Sequence, residues 1–181
     1  MSKLARDFII ELNFNKELSL SDIDNEKYEY DCEIQNLTNI FYDLSTSFYN
    51  REINLLLKIK GIEYVTFACE LSILLEELNG LVSFAVGKRN KYVLDFFEPG
   101  ARYTLAFERV NEDTYSLTFT DNDVKNFEGL VVHESVLELM LSLYVLFSKV
   151  IFLTKKVCPS IFYEEKYTVW KIEVAKLFDE E

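Results

Sequence analysis

Few residues in this chain of 181 could do chemistry, and their spacing says what that chemistry would be. His133 is the only histidine. Any Ser-His-Asp or Cys-His triad must therefore use it as the base poised near neutral pH. Ser135 is a nucleophile close by in sequence, but two positions apart at a helix start does not supply the geometry of such a pair. The alternative reading is a half-exposed histidine that helps begin a helix. Asp22, Asp24, Glu26 and Glu33 fall at positions 1, 3, 5 and 12 of a calcium-loop spacing. The sharp turn at the sixth position wants glycine, and the chain has Lys27 there. An acidic loop fits better than a calcium site.

Cys32, Cys69 and Cys158 are widely separated and form no CxxC pair. Neither a disulfide framework nor a zinc knuckle is indicated, and their apolar neighbours fit reduced thiols in a cytosolic protein. The chain contains no H-E-x-x-H, no GxGxxG and no GxxxxGK[ST], so zinc hydrolysis, dinucleotide binding and P-loop chemistry lack their usual signs. Asp and Glu number 31, which makes any one carboxylate pair uninformative. A glycosidase-type pair would need two of them about 5–10 Å apart in a cleft. No catalytic residue, metal ligand or cofactor is assigned, and a role other than catalysis is expected. An enzyme with a diverged site around His133 is the alternative.

The net charge of −12 is the strongest global signal. An acidic surface repels nucleic-acid phosphates and anionic lipid, which disfavours both as direct partners. A basic protein partner is the positive form of the same argument, although solubility alone would also account for the charge. Lys88-Arg89-Asn90-Lys91 is the one dense basic cluster and reads as a solvated turn. Asp7 and Glu11 interrupt the N-terminus too early for a signal-peptide core. Val136 to Leu153 is about as long as a bilayer-spanning helix. Glu138 and Lys149 within it would each cost a few kcal/mol in lipid. Ser135, Glu138, Ser142 and Lys149 recur at helical spacing, so a core helix with a narrow wet stripe is expected.

The elements that must position these groups can be read from periodicity. Residues 8–14 and 28–34 alternate as strands, the second with an acidic face. Leu37, Ile40, Phe41, Leu44 and Phe48 mark a helix over 36–49 with Asn36 as its cap. Residues 53–61 and 62–68 form a hairpin about Gly61. Leu71, Leu74, Leu75, Leu78, Leu81, Val82 and Ala85 mark a helix over about 70–86, with a break at Gly80 open and Gly87 as its end. Strands at 92–97, 102–109 and 114–120 make a meander, in which Pro99 and Gly100 suit the two central places of a type II turn. A further strand is expected at 127–133. Glu134 then opens the long helix, Pro159 stops it, and a last amphipathic helix covers 164–178. The whole of 1–181 reads as one α+β domain, an antiparallel sheet with helices packed on one face. The two C-terminal helices carry more apolar surface than one sheet face needs, which leaves room for a homodimer contact.

From INLLLKIKGIEYVTF through CELSILLEELNGL and FFEPG to YTLAFERVNEDTYSLTF, the order and pattern resemble small acidic α+β proteins of bacteria. Many of these are immunity partners of polymorphic or contact-dependent toxins. The resemblance covers a third to half of the chain and carries no catalytic residues with it. It implies a cytosolic protein that neutralises a toxin, a basic one such as a nuclease, by covering its active site or an adjacent surface with carboxylates. The residues expected to make that contact are Asp22, Asp24, Glu26, Glu29 and Asp31, then Glu112, Asp113, Asp121 and Asp123 on the meander's turns. A nucleic-acid mimic that inhibits a host nuclease is a further alternative, and would need carboxylates spaced like phosphates along one elongated face.

Overall fold

The structure, a computed structural model, describes residues 6–14, 36–64, 66–98, 101–121 and 129–179. In chain order the elements are β1 (Phe8–Asn13), α1 (Leu37–Tyr49), β2 (Asn54–Ile59), β3 (Ile62–Tyr64), α2 (Ala68–Ala85), β4 (Lys91–Glu98), β5 (Ala101–Arg109), β6 (Thr114–Asp121), β7 (Leu130–Ser135), α3 (Val136–Val157), α4 (Pro159–Phe162) and α5 (Glu165–Asp179). The fold is α+β. The strand expected at 28–34 and the turn at Pro99 and Gly100 lie outside the described residues.

The strands form two antiparallel sheets, ordered β1-β2-β3 and β4-β5-β6-β7, where a single sheet was expected. The division follows from pairing and length. β1 pairs along its whole length with β2, from Phe8 opposite Ile59 to Asn13 opposite Asn54. β3 is three residues long, and α2 starts at Ala68, inside the segment that alternation marks as strand. Eighteen residues of helix then carry the chain away before the next strand begins.

The larger sheet follows its sequence pattern. Tyr92 lies opposite Phe107, Leu94 opposite Leu105 and Phe96 opposite Tyr103. Leu105 and Phe107 in turn meet Phe119 and Leu117. A strand alternates its side chains between faces, so these residues, with Tyr115 and Val132, share one buried side. Full burial of each such side chain contributes about 1.5–3 kcal/mol.

Aromatic contacts tie the layers into one core. Phe8 meets Phe107 edge-on at 5.9 Å and Tyr64 meets Phe119 at 4.6 Å, joining the two sheets. Phe84 on α2 packs on Phe107 at 5.8 Å. Trp170 on α5 contacts Phe41 on α1 at 4.9 Å and Phe147 on α3 at 5.7 Å.

Local chemistry fixes the helix ends. The Asn36 side chain accepts from the Asn39 amide at 2.8 Å, which caps α1 as its sequence requires. The buried Glu70, third residue of α2, accepts from the Phe67 amide at 2.8 Å. α2 runs unbroken through Gly80, because the glycine makes room for a ring: a Cβ there would clash with Cε2 of Tyr92. That ring is pinned, its hydroxyl lying 3.0 Å from the Glu77 carbonyl and against the Glu77 carboxylate. Gly87, at φ +84°, takes the left-handed turn after the helix. Pro159 begins the short α4 just past the end of α3, at a first-turn position where its missing N–H costs nothing.

One expectation for the long helix is overturned. Glu134 belongs to β7, and α3 opens at Val136, whose amide donates to the Asp113 carbonyl at 2.9 Å. The Glu134 carboxylate instead accepts from the Asp7 and Phe8 amides at 2.7 and 3.3 Å. The polar stripe of α3 also meets partners from the N-terminal segment and not water alone. Arg6 pairs with Glu138 and donates to Ser142 at 3.1 Å, and Lys149 donates to the Leu12 carbonyl at 3.1 Å. These partners come from more than 120 residues away in sequence.

Candidate interaction surfaces

Of the nine carboxylates singled out for a partner, Asp22, Asp24, Glu26, Glu29, Asp31 and Asp123 lie outside the described residues. Glu112, Asp113 and Asp121 lie within them. Glu112 and Asp113 occupy the exposed turn between β5 and β6, whereas Asp121 ends β6. Eight residues of strand put Asp113 and Asp121 roughly 26 Å apart, so the structure brings together two of the three. Between them the outward positions of β6 are Thr114, Ser116, Thr118 and Thr120. No row of carboxylates follows that strand.

The Glu112-Asp113 turn is fixed from several sides. Arg109, the last residue of β5, donates to the Glu112 carbonyl at 3.0 Å. The Asp113 amide donates to the Asn111 side chain at 2.9 Å, and the Asp113 carbonyl accepts from the first residue of α3. Arg109 also reaches α2, donating to the Phe84 carbonyl at 3.0 Å and to the Ala85 carbonyl at 2.7 Å. The last carbonyls of a helix lack partners inside it and carry partial negative charge. α2 has no basic residue in its last turn, and Arg109 supplies the cation from a strand 24 residues further on. Sequence reasoning missed this residue because the signal is non-local. The two exposed carboxylates thus stand on a turn bound to the ends of two helices.

His133 lies exposed on the outward face of β7, opposite Ser116. Ser135 is on the same face of the same strand, about 7 Å along it, beyond the reach of a nucleophile–base hydrogen bond. A small cavity of about 10 Å³ sits between β7 and α3, lined by Arg6, Phe8, Tyr115, Glu134, Glu138, Leu139 and Ser142. It has room for a water molecule at most, far from the roughly 300–1,000 Å³ of a ligand pocket. Among the described residues no group of three or more His, Cys, Asp or Glu side chains is arranged to hold a metal ion. Cys158 is buried and its Sγ lies 3.0 Å from the Ser47 hydroxyl. Burial pushes that thiol above its ordinary pKa, with Ser47 and Arg51 opposing, so the reactive thiolate is disfavoured.

A second surface was only partly legible. α3 buries Leu139, Leu143, Leu146, Phe147, Val150 and Leu153. Its opposite side exposes Leu137, Leu141, Tyr144, Val145 and Phe152, each between 46% and 58%. By length and mean hydropathy, 2.1 over its most apolar window, α3 could cross a membrane. Its buried side and its Arg6 and Leu12 contacts are those of a helix packed into the protein. Large apolar side chains aligned along one helix face are a surface that another molecule can cover.

The chain matches no protein-family model, no curated protein and no solved structure.

Proposed function

We propose that this chain is an acidic cytoplasmic binding protein that neutralises a protein toxin, in the manner of an immunity protein, and that it is not an enzyme. The toxin would be basic, such as a nuclease, and would be blocked by carboxylates laid over its active site or a neighbouring surface. The observation that carries this reading is the Glu112-Asp113 turn, exposed and tied to α2 and α3 through Arg109 and the Asp113 carbonyl. A turn held in one geometry loses little conformational freedom when a partner docks, so its charges serve binding instead of ordering. The net charge of −12 would speed the encounter with a basic protein and discourage competition from nucleic acid. The Asp22–Asp31 segment remains part of the proposed contact.

The test is titration of the purified chain with the product of the adjacent gene, with toxicity of that product assayed in cells with and without this chain. Binding at micromolar strength or better, weakening as salt rises, and protection of the cells are expected. A neighbour that is not toxic, or that binds more weakly than this, removes the proposal. Glu112→Lys with Asp113→Lys should slow association about tenfold, since charges at a contact act mainly on the encounter rate. An unchanged rate would move the contact away from this turn.

A further inference from the structure

We infer that Cys69 is a modification site, a thiol that hydrogen peroxide oxidises to a sulfenic acid and that Glu70 and Tyr103 hold at that stage. This inference is independent of toxin binding. Cys69 is the second residue of α2 and is partly exposed, so a small oxidant can reach it. Its Sγ lies 3.0 Å from Oε2 of Glu70, close enough for the thiol proton to lie between them. Glu70 is 0% exposed and Tyr103, on β5, is 6% exposed. Among the described residues, neither the second Glu70 oxygen, Oε1, nor the Tyr103 hydroxyl has a hydrogen-bond partner. That hydroxyl faces the same pair: burial first, then the charges of Glu70 and Cys69, hold the Tyr103 pKa above its ordinary range. A buried polar atom left unpaired costs about 1–3 kcal/mol. Two such atoms beside one reachable thiol call for a group that bonds to both.

Oxidation supplies that group with a single oxygen atom. The O–H of a sulfenic acid on Cys69 donates to Glu70 Oε1, and its oxygen accepts from the Tyr103 hydroxyl. The step that forms it balances with peroxide as the only co-reactant. Sulfur attacks one peroxide oxygen, the S–O bond forms and the O–O bond breaks. The thiol proton passes through the Glu70 carboxylate to the departing hydroxide, which leaves as water. Sulfur is oxidised by two electrons and peroxide is reduced by the same two. Two features of the helix start favour the attack. The partial positive charge at the first turn of α2 stabilises negative charge developing on sulfur. The Phe67 amide, donating to Glu70 Oε2 at 2.8 Å, keeps the carboxylate beside it. Further oxidation needs the sulfenic acid to lose its proton and attack a second peroxide. A sulfenic acid bonded on both sides is slower to do so.

The test treats the full chain with hydrogen peroxide in the presence of dimedone, which captures sulfenic acids, and quantifies the labelled peptides by mass. The same chain in urea gives the reactivity of an unassisted thiol. Cys69 should be oxidised about tenfold faster or more in the folded chain than in urea. Its sulfenic acid, followed by adding dimedone at intervals after the peroxide is removed, should also outlive that of the unfolded chain. Glu70→Gln keeps an oxygen for the Phe67 amide but removes the proton carrier, and should slow oxidation about tenfold or more. Tyr103→Phe keeps the ring and should shorten the life of the sulfenic acid several-fold while leaving its rate of formation within about twofold, because a hydrogen bond to the product is all that it removes. Urea midpoints of both variants confirm that they are folded. Oxidation of Cys69 no faster in the folded chain than in urea overturns the inference, and this comparison needs no variant. An unchanged oxidation rate in Glu70→Gln also overturns it, as does an unchanged sulfenic lifetime in Tyr103→Phe.

Discussion

Arg109 holds the carbonyl of Phe84, and the bond joins a strand to the end of a helix that precedes it by 25 residues. The same guanidinium reaches the Ala85 and Glu112 carbonyls, so one side chain closes α2 and braces the β5–β6 turn. Hydrogen bonds from a charged donor contribute roughly 1.5–3 kcal/mol net. Arg109→Ala should therefore cost about 2–3 kcal/mol in urea unfolding. Arg109→Lys should recover less than half of that, because an ammonium cannot span three carbonyls as a planar fork does. An Arg109→Ala protein of unchanged stability would show the contacts to be ornamental.

Gly80 and Tyr92 should behave as a coupled pair. Alanine is ordinarily about 1 kcal/mol better than glycine inside a helix, so Gly80→Ala would stabilise α2 if space allowed. The Tyr92 ring occupies that space and is held by Glu77. Gly80→Ala is expected to destabilise by about 1–2 kcal/mol, within the range for overpacking. In a background of Tyr92→Leu the same change should turn neutral or stabilising. A double-mutant cycle measures this, and additive effects would contradict it.

Alkaline pH should unfold the protein through its tyrosines. Burial holds Tyr92, Tyr103, Tyr115 and Tyr167 above the ordinary tyrosine range, with Glu77 adding to the effect at Tyr92, Glu70 at Tyr103 and Glu134 at Tyr115. Their folded pKa values are raised, so the stability they confer is fully present below the unfolded value of about 10. Above that pH the unfolded chain gives up protons that the folded chain keeps, and stability falls as pH rises. Tyrosinate absorbance should show these four of the 11 tyrosines ionising only together with loss of structure. Smooth titration of all tyrosines in the folded protein would refute this.

Glu134 should govern the start of β1. Glu134→Ala removes the acceptor of two backbone amides and is expected to cost about 1–2 kcal/mol. Hydrogen exchange should speed up at Asp7 and Phe8 well before it does in the meander, which is a local opening and not global unfolding. Uniform acceleration across both sheets would point to a role in the core instead.

Local rules carried the parts of the fold that depend on neighbours in sequence. Asn36 caps α1, Gly87 ends α2, and the alternation of Tyr92, Leu94 and Phe96 sets a register that Tyr103, Leu105 and Phe107 complete. What could not be read is what distant segments do to one another. Nothing near Glu138 or Lys149 announces that Arg6 and Leu12 will meet them. Nothing near Ala85 announces Arg109. At the candidate site, Glu112 and Asp113 were legible as an acidic turn from Asn111-Glu112-Asp113 alone. Their bracing was not, because each brace comes from a different element. The apolar excess of the C-terminal helices was legible in composition. Which side of α3 would carry it depended on β1 and the N-terminal segment.

The contacts between α3 and β1 have a consequence for behaviour at high concentration. β1 is the outermost strand of its sheet, and the groups along such a strand that point away from the sheet invite another chain to add a strand of its own. Successive residues of a strand direct their backbone groups to opposite sides. On the β2 side, the Asp7 carbonyl accepts from Lys60. On the other side, the Phe8 amide is taken by Glu134 and the Leu12 carbonyl by Lys149. Two charged side chains thus occupy hydrogen-bonding positions near both ends of an otherwise templating edge. The molecule that exposes one apolar helix face thus has, along the strand that the same helix packs against, a margin insulated against runaway polymerisation.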